Sequence, residues 1–209
     1  MPREFASAAA ATFLALLPIV NPVGNLPLFV ALSSEASEAE RRSIAWKASR
    51  NVILILGTFL LIGRFLLHFF GISLPVLRVA GGLIVGHTAW RMVTGRGELS
   101  EAEHTEAVGK ESISLVPLAI PILAGPGAIG VVIALSAHMS HWSAYIGHLL
   151  GVTAVGLAIA LVLRMGEPMA RRLGHNRVGV LNRLSGLLIL AIAVQLVADG
   201  AVRIVGTST

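Results

Sequence analysis

A run without any charged residue extends from Phe5 to Ser34 and carries the sequence PIVNPVGNLP near its centre. The run is long enough for a membrane-spanning helix, which needs about 20 apolar residues. Its prolines interrupt that helix, because proline removes a backbone donor and clashes with the preceding turn. Irregular backbone persists in a bilayer only where protein or a water-filled cavity satisfies it. We therefore predict a broken membrane helix over Thr12–Phe29, with Asn21 and Asn25 directed to a cavity.

A second interrupted segment, PLAIPILAGPGA at positions 117–128, lies in another run free of Asp, Glu, Lys and Arg, from Ser112 to Leu163. The two breaks occupy matching places in the two halves of the chain, a pattern typical of transporters built from repeats. The alternative is a pair of proline-kinked helices without a ligand, since Pro and Gly are common in membrane helices. The match between the breaks favours the functional interpretation.

Composition also indicates a membrane protein. Of 209 residues, 55% are hydrophobic and 13% are charged, and the mean hydropathy is +0.81, whereas soluble domains are about 25% charged. We predict one all-α, polytopic transmembrane domain over residues 1–209. The net charge of +5 comes without a basic cluster interleaved with aromatics, so nucleic acid is not an expected partner. Without cysteine there is no disulfide framework and no Cys-ligated metal.

Hydropathy predicts six transmembrane helices, the first and fourth broken in mid-membrane. They are Phe5–Leu32, Trp46–Phe70, the segment from the turn at Pro75 to Met92, Ser114–Ala137, Trp142–Leu163 and Val180–Ala201. Ser37 and Glu40 form a capping box that predicts a short amphipathic helix leading into the second span. A polar loop at 95–111 separates the two halves, about 5–94 and 112–205. Arg164–Arg177 is predicted to be a basic loop.

Charge placement predicts the orientation. Lys and Arg concentrate in the loops after the first, third and fifth spans, which places those loops in the cytoplasm and both termini outside. The sequence LRVAGGLIV at 77–85 is similar to NRLSGLLIL at 182–190 and matches Arg78 with Arg183 and Gly81 with Gly186. Because each half has three spans, the second half is predicted to be an inverted repeat of the first. Chance similarity between apolar helices is the alternative.

The sequences NPVGNLPLF at 21–29 and PLAIPILAGPGAI at 117–129 resemble the signatures of the MarC family. This is a group of six-helix inner-membrane proteins of bacteria and archaea, and the resemblance covers nearly the whole chain. Some members are described as transporters of small neutral amino acids such as glycine and alanine. The resemblance therefore implies a carrier or exporter of such amino acids in the inner membrane of a bacterium or archaeon. It leaves open the direction of transport and whether Na⁺ or H⁺ is the coupling ion.

The two breaks are the predicted substrate site. A half-helix N-terminus offers free amides and a positive dipole end to a carboxylate, and unwound carbonyls offer acceptors to an ammonium group or a cation. Glycines allow a ligand to approach the backbone. The predicted substrate-binding residues are Asn21, Pro22, Gly24, Asn25, Ala124, Gly125, Pro126 and Gly127. The alternative for the asparagines is that they only satisfy the broken backbone.

Other polar residues within spans are weaker candidates. Arg78, Arg183 and Gln195 are predicted to serve gating or ion coupling, because ionisable and polar groups inside a span are functional by default. Snorkelling to the interface, or capping of free carbonyls, is the alternative for the arginines. His138, His141 and His148 lack the spacing of a metal site and are assigned to the outer interface, so no metal or other cofactor is expected.

An enzyme and a channel are the competing functions. An enzyme would need paired carboxylates, a nucleophile with its base, or a metal cluster facing a cavity; no Asp or Glu lies in a span except Asp199, near an end. No catalytic residue is therefore predicted. A channel or a structural membrane subunit, or an exporter of another small solute, remains the alternative to amino-acid transport. The expected partners are a small neutral amino acid and the lipid bilayer, and the oligomeric state stays open.

Overall fold

The computed structural model describes residues 2–34, 36–94, 123–137, 139 and 141–206, with the backbone alone for residues 2–4 and 167–178. This part of the chain contains seven helices. They are α1 (Pro2–Val20), α2 (Leu26–Leu32), α3 (Glu38–Phe69), α4 (Leu74–Thr94), α5 (Pro126–Ser136), α6 (Trp142–Arg164) and α7 (Gly166–Gly206). The predicted polar loop at 95–111 lies outside the described residues.

The first predicted break is confirmed. Helix α1 ends at Val20, and a short turn leads into α2 at Leu26. Within the turn, Asn21 has a φ of 43°, in the left-handed region that side chains other than Gly rarely adopt, with Asn among the tolerated exceptions. Pro27 falls in the first turn of α2, where its missing N–H breaks no helical hydrogen bond.

The second predicted break is described on one side only. Helix α5 begins at Pro126, and its N-cap residue Gly125 has extended backbone with φ −67° and ψ 171°. A helix therefore starts where the sequence predicted a mid-membrane restart. The first half of the predicted fourth span, at 114–122, lies outside the described residues.

Two other boundaries differ from expectation. The capping box of Ser37 and Glu40 is confirmed, but the predicted lead-in and second span form one continuous helix, α3. The predicted basic loop Arg164–Arg177 is wrong, because α7 begins at Gly166 and continues through it. Pro168 lies in the first turn of α7, where proline is compatible with helix.

Among the described residues, three helical segments have the length and hydropathy to cross a membrane: Glu38–Phe69, Trp142–Arg164 and Gly179–Gly206. Phe5–Val20 and α5 are apolar but shorter. Large apolar side chains are exposed on the outer faces of these helices, as with Phe65, 68% exposed, and Leu188, 65% exposed. Such a surface suits lipid rather than water, so the described fold is that of a helical membrane protein.

Helices α4 and α7 pack against each other in antiparallel directions. A Cβ built on Gly82 would lie 2.9 Å from the carbonyl oxygen of Ala193, and one built on Gly186 would lie 3.1 Å from the carbonyl oxygen of Ala89. Small residues at these points let the two backbones approach closely. The sequence had matched Gly81 with Gly186, but a Cβ on Gly81 would meet nothing within 4 Å. Gly82 is the glycine that faces α7.

Buried residues form two apolar clusters. The larger lies among α1, α2, α3, α5 and α6, and includes Leu16 and Phe29. The smaller lies between α4 and α7 and is built from Val85, Ala89, Met92, Ile189 and Ala193. Ile19, one turn before the first break, packs against both clusters. The end of α1 is therefore the junction between the α4–α7 pair and the rest of the bundle.

Candidate functional site

The two asparagines of the first break are buried and hydrogen-bonded within the protein. Asn25 is 4% exposed and Asn21 is 8% exposed. The side-chain amide of Asn25 donates to the carbonyl oxygen of Val20 over 3.0 Å, which satisfies the free end of α1. The side-chain oxygen of Asn21 accepts from the backbone N–H of Gly24 over 3.1 Å. Both side chains therefore form hydrogen bonds that serve the broken backbone.

Asn182 on α7 is a residue of this break that the site prediction missed. Asn21 Nδ2 donates to Asn182 Oδ1 over 2.7 Å. Gly24 lies against this pair so closely that a Cβ there would overlap Asn21 Nδ2 and Asn182 Oδ1. In the sequence, Asn182 could have been noticed as an amide side chain within an apolar span. It is the first residue of the segment 182–190, which is similar to 77–85 in the third predicted helix.

The second break borders a cavity of about 70 Å³. The start of α5 lines one part of the cavity, and residues of α1, α4 and α7 line the rest together with Leu123. The lining residues are Gly125, Pro126, Gly127 and Ala128, with Ile19, Val85, Thr88, Leu123 and Ile189. The cavity thus lies at the junction of the two apolar clusters.

The start of α5 supplies hydrogen-bond donors to this cavity. The first intrahelical bond runs from the N–H of Ile129 to the carbonyl of Gly125, over 3.1 Å. The amides of Gly127 and Ala128 precede it, and Gly125 makes no side-chain cap. Uncapped amides at a helix N-terminus carry a partial positive charge and attract anionic groups.

Thr88 supplies an acceptor. Its hydroxyl donates to the carbonyl oxygen of Ile84 over 3.2 Å, so the oxygen of Thr88, which lines the cavity, retains its lone pairs. The remaining walls, including Val85 and Ile189, are aliphatic. The cavity therefore has hydrogen-bond donors at the start of α5, a hydrogen-bond acceptor at Thr88 and an apolar lining elsewhere.

The predicted substrate residues divide between these two places. Gly125, Pro126 and Gly127 line the cavity, and Ala124, next to them, is fully buried. The other four predicted residues, Asn21, Pro22, Gly24 and Asn25, belong to the first break and do not line this cavity. The breaks are nevertheless close, because a Cβ on Gly127 would lie 3.6 Å from Cγ2 of Ile19.

The predicted gating residues lie outside the cavity lining. Arg183 and Gln195 are exposed on α7, and Nε2 of Gln195 donates to Oδ1 of Asp199 over 2.8 Å. Arg78 is half-buried on α4. Gln195 is thus paired with Asp199 at an exposed position and does not line this cavity.

His148 joins two helices. Its Nδ1 lies 2.6 Å from Oγ1 of Thr12, and the Thr12 hydroxyl is fully buried and donates to the carbonyl oxygen of Ala8 over 2.9 Å. The direction of the Thr12–His148 hydrogen bond depends on which ring nitrogen of His148 carries the proton. His148 was assigned to the interface from sequence; it is an interhelical residue between α1 and α6. His138 lies outside the described residues.

Comparison with known proteins agrees with this architecture. The model of the MarC family of integral membrane proteins matches residues 6–205. The membrane protein YvbG of Bacillus subtilis is 35% identical over 192 residues, covering 90% of this chain and 91% of that protein. YhcE of Escherichia coli is 34% identical over 191 residues, covering 90% and 89%.

A third relative is named for its location. The inner membrane protein MarC of Salmonella typhimurium is 31% identical over 205 residues, covering 92% of this chain and 93% of that protein. No solved structure matches this chain. From the match over nearly its whole length, the chain belongs to the MarC family of integral membrane proteins.

Proposed function

We propose that this protein is a secondary transporter of small neutral amino acids, and that the solute binds in the cavity at the start of α5. The observation that carries the proposal is the uncapped N-terminus at Gly125–Gly127, which borders a cavity of about 70 Å³. A site of this kind, formed by a helix that restarts within the membrane, is the usual binding element of repeat-built carriers. No catalytic chemistry is assigned to the site.

The chemistry of the cavity matches a zwitterion. The amides of Gly127 and Ala128 would receive the carboxylate, because they are free donors at the positive end of a helix. The oxygen of Thr88 would receive the ammonium group. Val85 and Ile189 would surround the Cα substituent.

Size restricts the solute. A cavity of 70 Å³ has room for roughly five water molecules, and therefore for a solute of few heavy atoms. Whole glycine and alanine molecules, with five and six heavy atoms, are close to this limit, whereas leucine and phenylalanine, with nine and twelve, exceed it. Selectivity for a small neutral amino acid thus follows from volume and from a lining in which none of the described residues is charged.

We also propose that the two halves are inverted repeats, in a register one residue away from the sequence alignment. In sequence, Gly186 follows Gly82 by the same number of residues as Ala193 follows Ala89. An exchange of the two halves therefore converts the contact of Gly82 with Ala193 into the contact of Gly186 with Ala89. This reciprocity supports a two-fold relationship. Proteins with inverted repeats bind their solutes at the repeat interface.

The same separation relates pairs of residues that line the cavity. It takes Ile19 to Leu123 and Val85 to Ile189, and all four line the cavity. The binding site would then lie on the axis between the halves. Six spans with both termini outside complete this arrangement, supported by the basic residues that follow the first, third and fifth predicted spans.

The exchange also suggests a role for Arg78. Under the exchange of halves, Asn182 corresponds to Arg78, and Asn21 corresponds to Gly125. Asn182 satisfies the first break through Asn21, so we propose that Arg78 serves the second break in the same way. A gating role of Arg78 would act through the position of Gly125 and the start of α5.

Counterflow in proteoliposomes tests the function. Vesicles with purified protein, loaded with unlabelled alanine or glycine, are expected to accumulate the labelled solute, whereas leucine and glutamate are excluded by size and charge. Repeating uptake with imposed Na⁺ or H⁺ gradients identifies the coupling ion. No flux of any small amino acid under any gradient would favour a channel, a structural subunit or an exporter of another small solute.

A further inference from the structure

A second cavity, of about 470 Å³, lies between the beginning of α3 and the end of α6. It is separate from the proposed transport site and shares no lining residue with it. Arg42 and Arg164 line its polar end, and Trp46, Leu157 and Leu161 line its apolar part. Both helices are candidate membrane spans, so this groove lies where two spans reach the membrane surface.

The groove lies beside a contact between the two helices. At Gly156, the hydroxyl of Ser49 donates to the Gly156 carbonyl, and a Cβ built there would overlap Ile53. From this contact the groove extends toward Arg42 and Arg164, which are among its lining residues.

The walls of the groove remain exposed although they are apolar. Trp46 is 57% exposed, Leu157 is 51% exposed and Leu161 is 62% exposed. Tryptophan prefers the headgroup level of a bilayer, where its ring is amphipathic. Along the groove, the leucines are followed by the indole of Trp46 and then by the guanidinium groups. Polarity rises in the same order from the acyl chains of a phospholipid to its headgroup.

The charges at the polar end favour an anion. Among the lining residues that the structure describes, none is Asp or Glu, and Arg164 makes no ion pair with any described residue. Arg42 pairs with Glu38 one turn earlier on α3, but both side chains are largely exposed, and an exposed pair of this kind is weak. Two guanidinium groups can bind one phosphate through charge-assisted hydrogen bonds.

We propose that this groove binds one anionic phospholipid, with its phosphate between Arg42 and Arg164 and its acyl chains along Leu157 and Leu161. A soluble phosphate would leave the apolar wall uncovered. A zwitterionic lipid would bring a cationic group beside the arginines. Charge complementarity and the length of exposed apolar surface together select the anionic lipid.

Fluorescence quenching of Trp46 tests this site. The chain has three tryptophans, so the W90F/W142F background leaves Trp46 as the reporter. In phosphatidylcholine bilayers containing brominated phosphatidylglycerol, quenching is expected to saturate at a low fraction of the brominated lipid. Each arginine near an anionic headgroup is expected to raise the affinity for an anionic lipid roughly fivefold. The preference for brominated phosphatidylglycerol over brominated phosphatidylcholine should therefore exceed the value that one arginine would give.

Variants separate the site from general membrane charge. R42Q and R164Q should each lower the preference roughly fivefold, and the double variant should bring it to about one. K47Q is the matched control, because Lys47 is exposed beside Trp46 but does not line the groove; it should keep the preference. Equal effects of K47Q and R164Q would overturn the proposal.

Two further results would also overturn it. Reversal of quenching by millimolar inorganic phosphate or glycerol phosphate would assign the groove to a soluble anion. Absence of quenching by either brominated lipid would mean that protein, such as a second copy of the chain, covers the groove. Persistence of quenching in excess inorganic phosphate is the result expected for a bound lipid.

Discussion

Asn21 and Asn182 are joined by an Nδ2–Oδ1 hydrogen bond of 2.7 Å between the first break and α7. The bond links the two halves of the chain at a position where Asn21 already holds a left-handed backbone conformation, with φ 43°. Gly24 donates to the oxygen of the same side chain over 3.1 Å. One asparagine thus fixes the turn and attaches it to the opposite half.

Removing Asn182 should destabilise the protein through Asn21. We expect N182A to lower the free energy of unfolding by about 0.6–1.7 kcal/mol, the range for hydrogen bonds between membrane helices. Thermal unfolding in detergent of N21A, N182A and N21A/N182A would measure the coupling. Additive losses in the double variant would show that the two side chains contribute independently, contrary to the structure.

A methyl group at Gly24 should disrupt the same pair. G24A places a Cβ where Asn21 Nδ2 and Asn182 Oδ1 lie, so the pair must separate, at about 1–3 kcal/mol for an overpacked site. G57A is the control, since its Cβ would meet only Leu149, at an ordinary 3.7 Å. Melting temperatures should fall for G24A and change little for G57A. A G24A protein as stable as G57A would contradict the geometry.

The first break could be predicted because its cause is local. Pro22, Gly24 and Pro27 determine the backbone within a few positions, whatever surrounds them. The Asn21–Asn182 bond could not be predicted in this way, because its partners are 161 positions apart and meet only after α7 has packed against the first break. For the same reason the sequence could not separate asparagines that face a solute from asparagines that satisfy the turn.

The register of the repeat shows a second limit. Gly81 and Gly82 are adjacent, and similarity between apolar segments cannot tell which glycine faces the partner helix. Packing decides it, because only Gly82 approaches the backbone of α7. The basic segment after Arg164 is helical although its charge predicts a loop, because arginine and glutamate are good helix formers.

The acceptor role of Thr88 gives a kinetic prediction. T88V keeps the shape of the side chain but removes the oxygen that would receive the ammonium group, so we expect KM for alanine to rise about 10- to 100-fold, the value of a hydrogen bond to a charged group. T88S retains the oxygen and should keep KM near that of the natural protein. An unchanged KM in T88V would remove Thr88 from the site.

The proposed site depends most directly on Gly127. A Cβ at this position would lie 2.6 Å from Cγ2 of Val85 and 3.6 Å from Cγ2 of Ile19, both residues of the cavity wall, so G127A fills space the solute needs. Gly130, one turn further along α5, is the matched control, because its Cβ would meet only the Cα of Gly81 at 3.7 Å.

Counterflow of labelled alanine by G127A and G130A, reconstituted at equal amounts of folded protein, measures the central claim. Flux should fall at least about tenfold in G127A, as expected for a crowded site, and should persist in G130A. Folded G127A protein that carries alanine as fast as G130A would contradict binding at the start of α5.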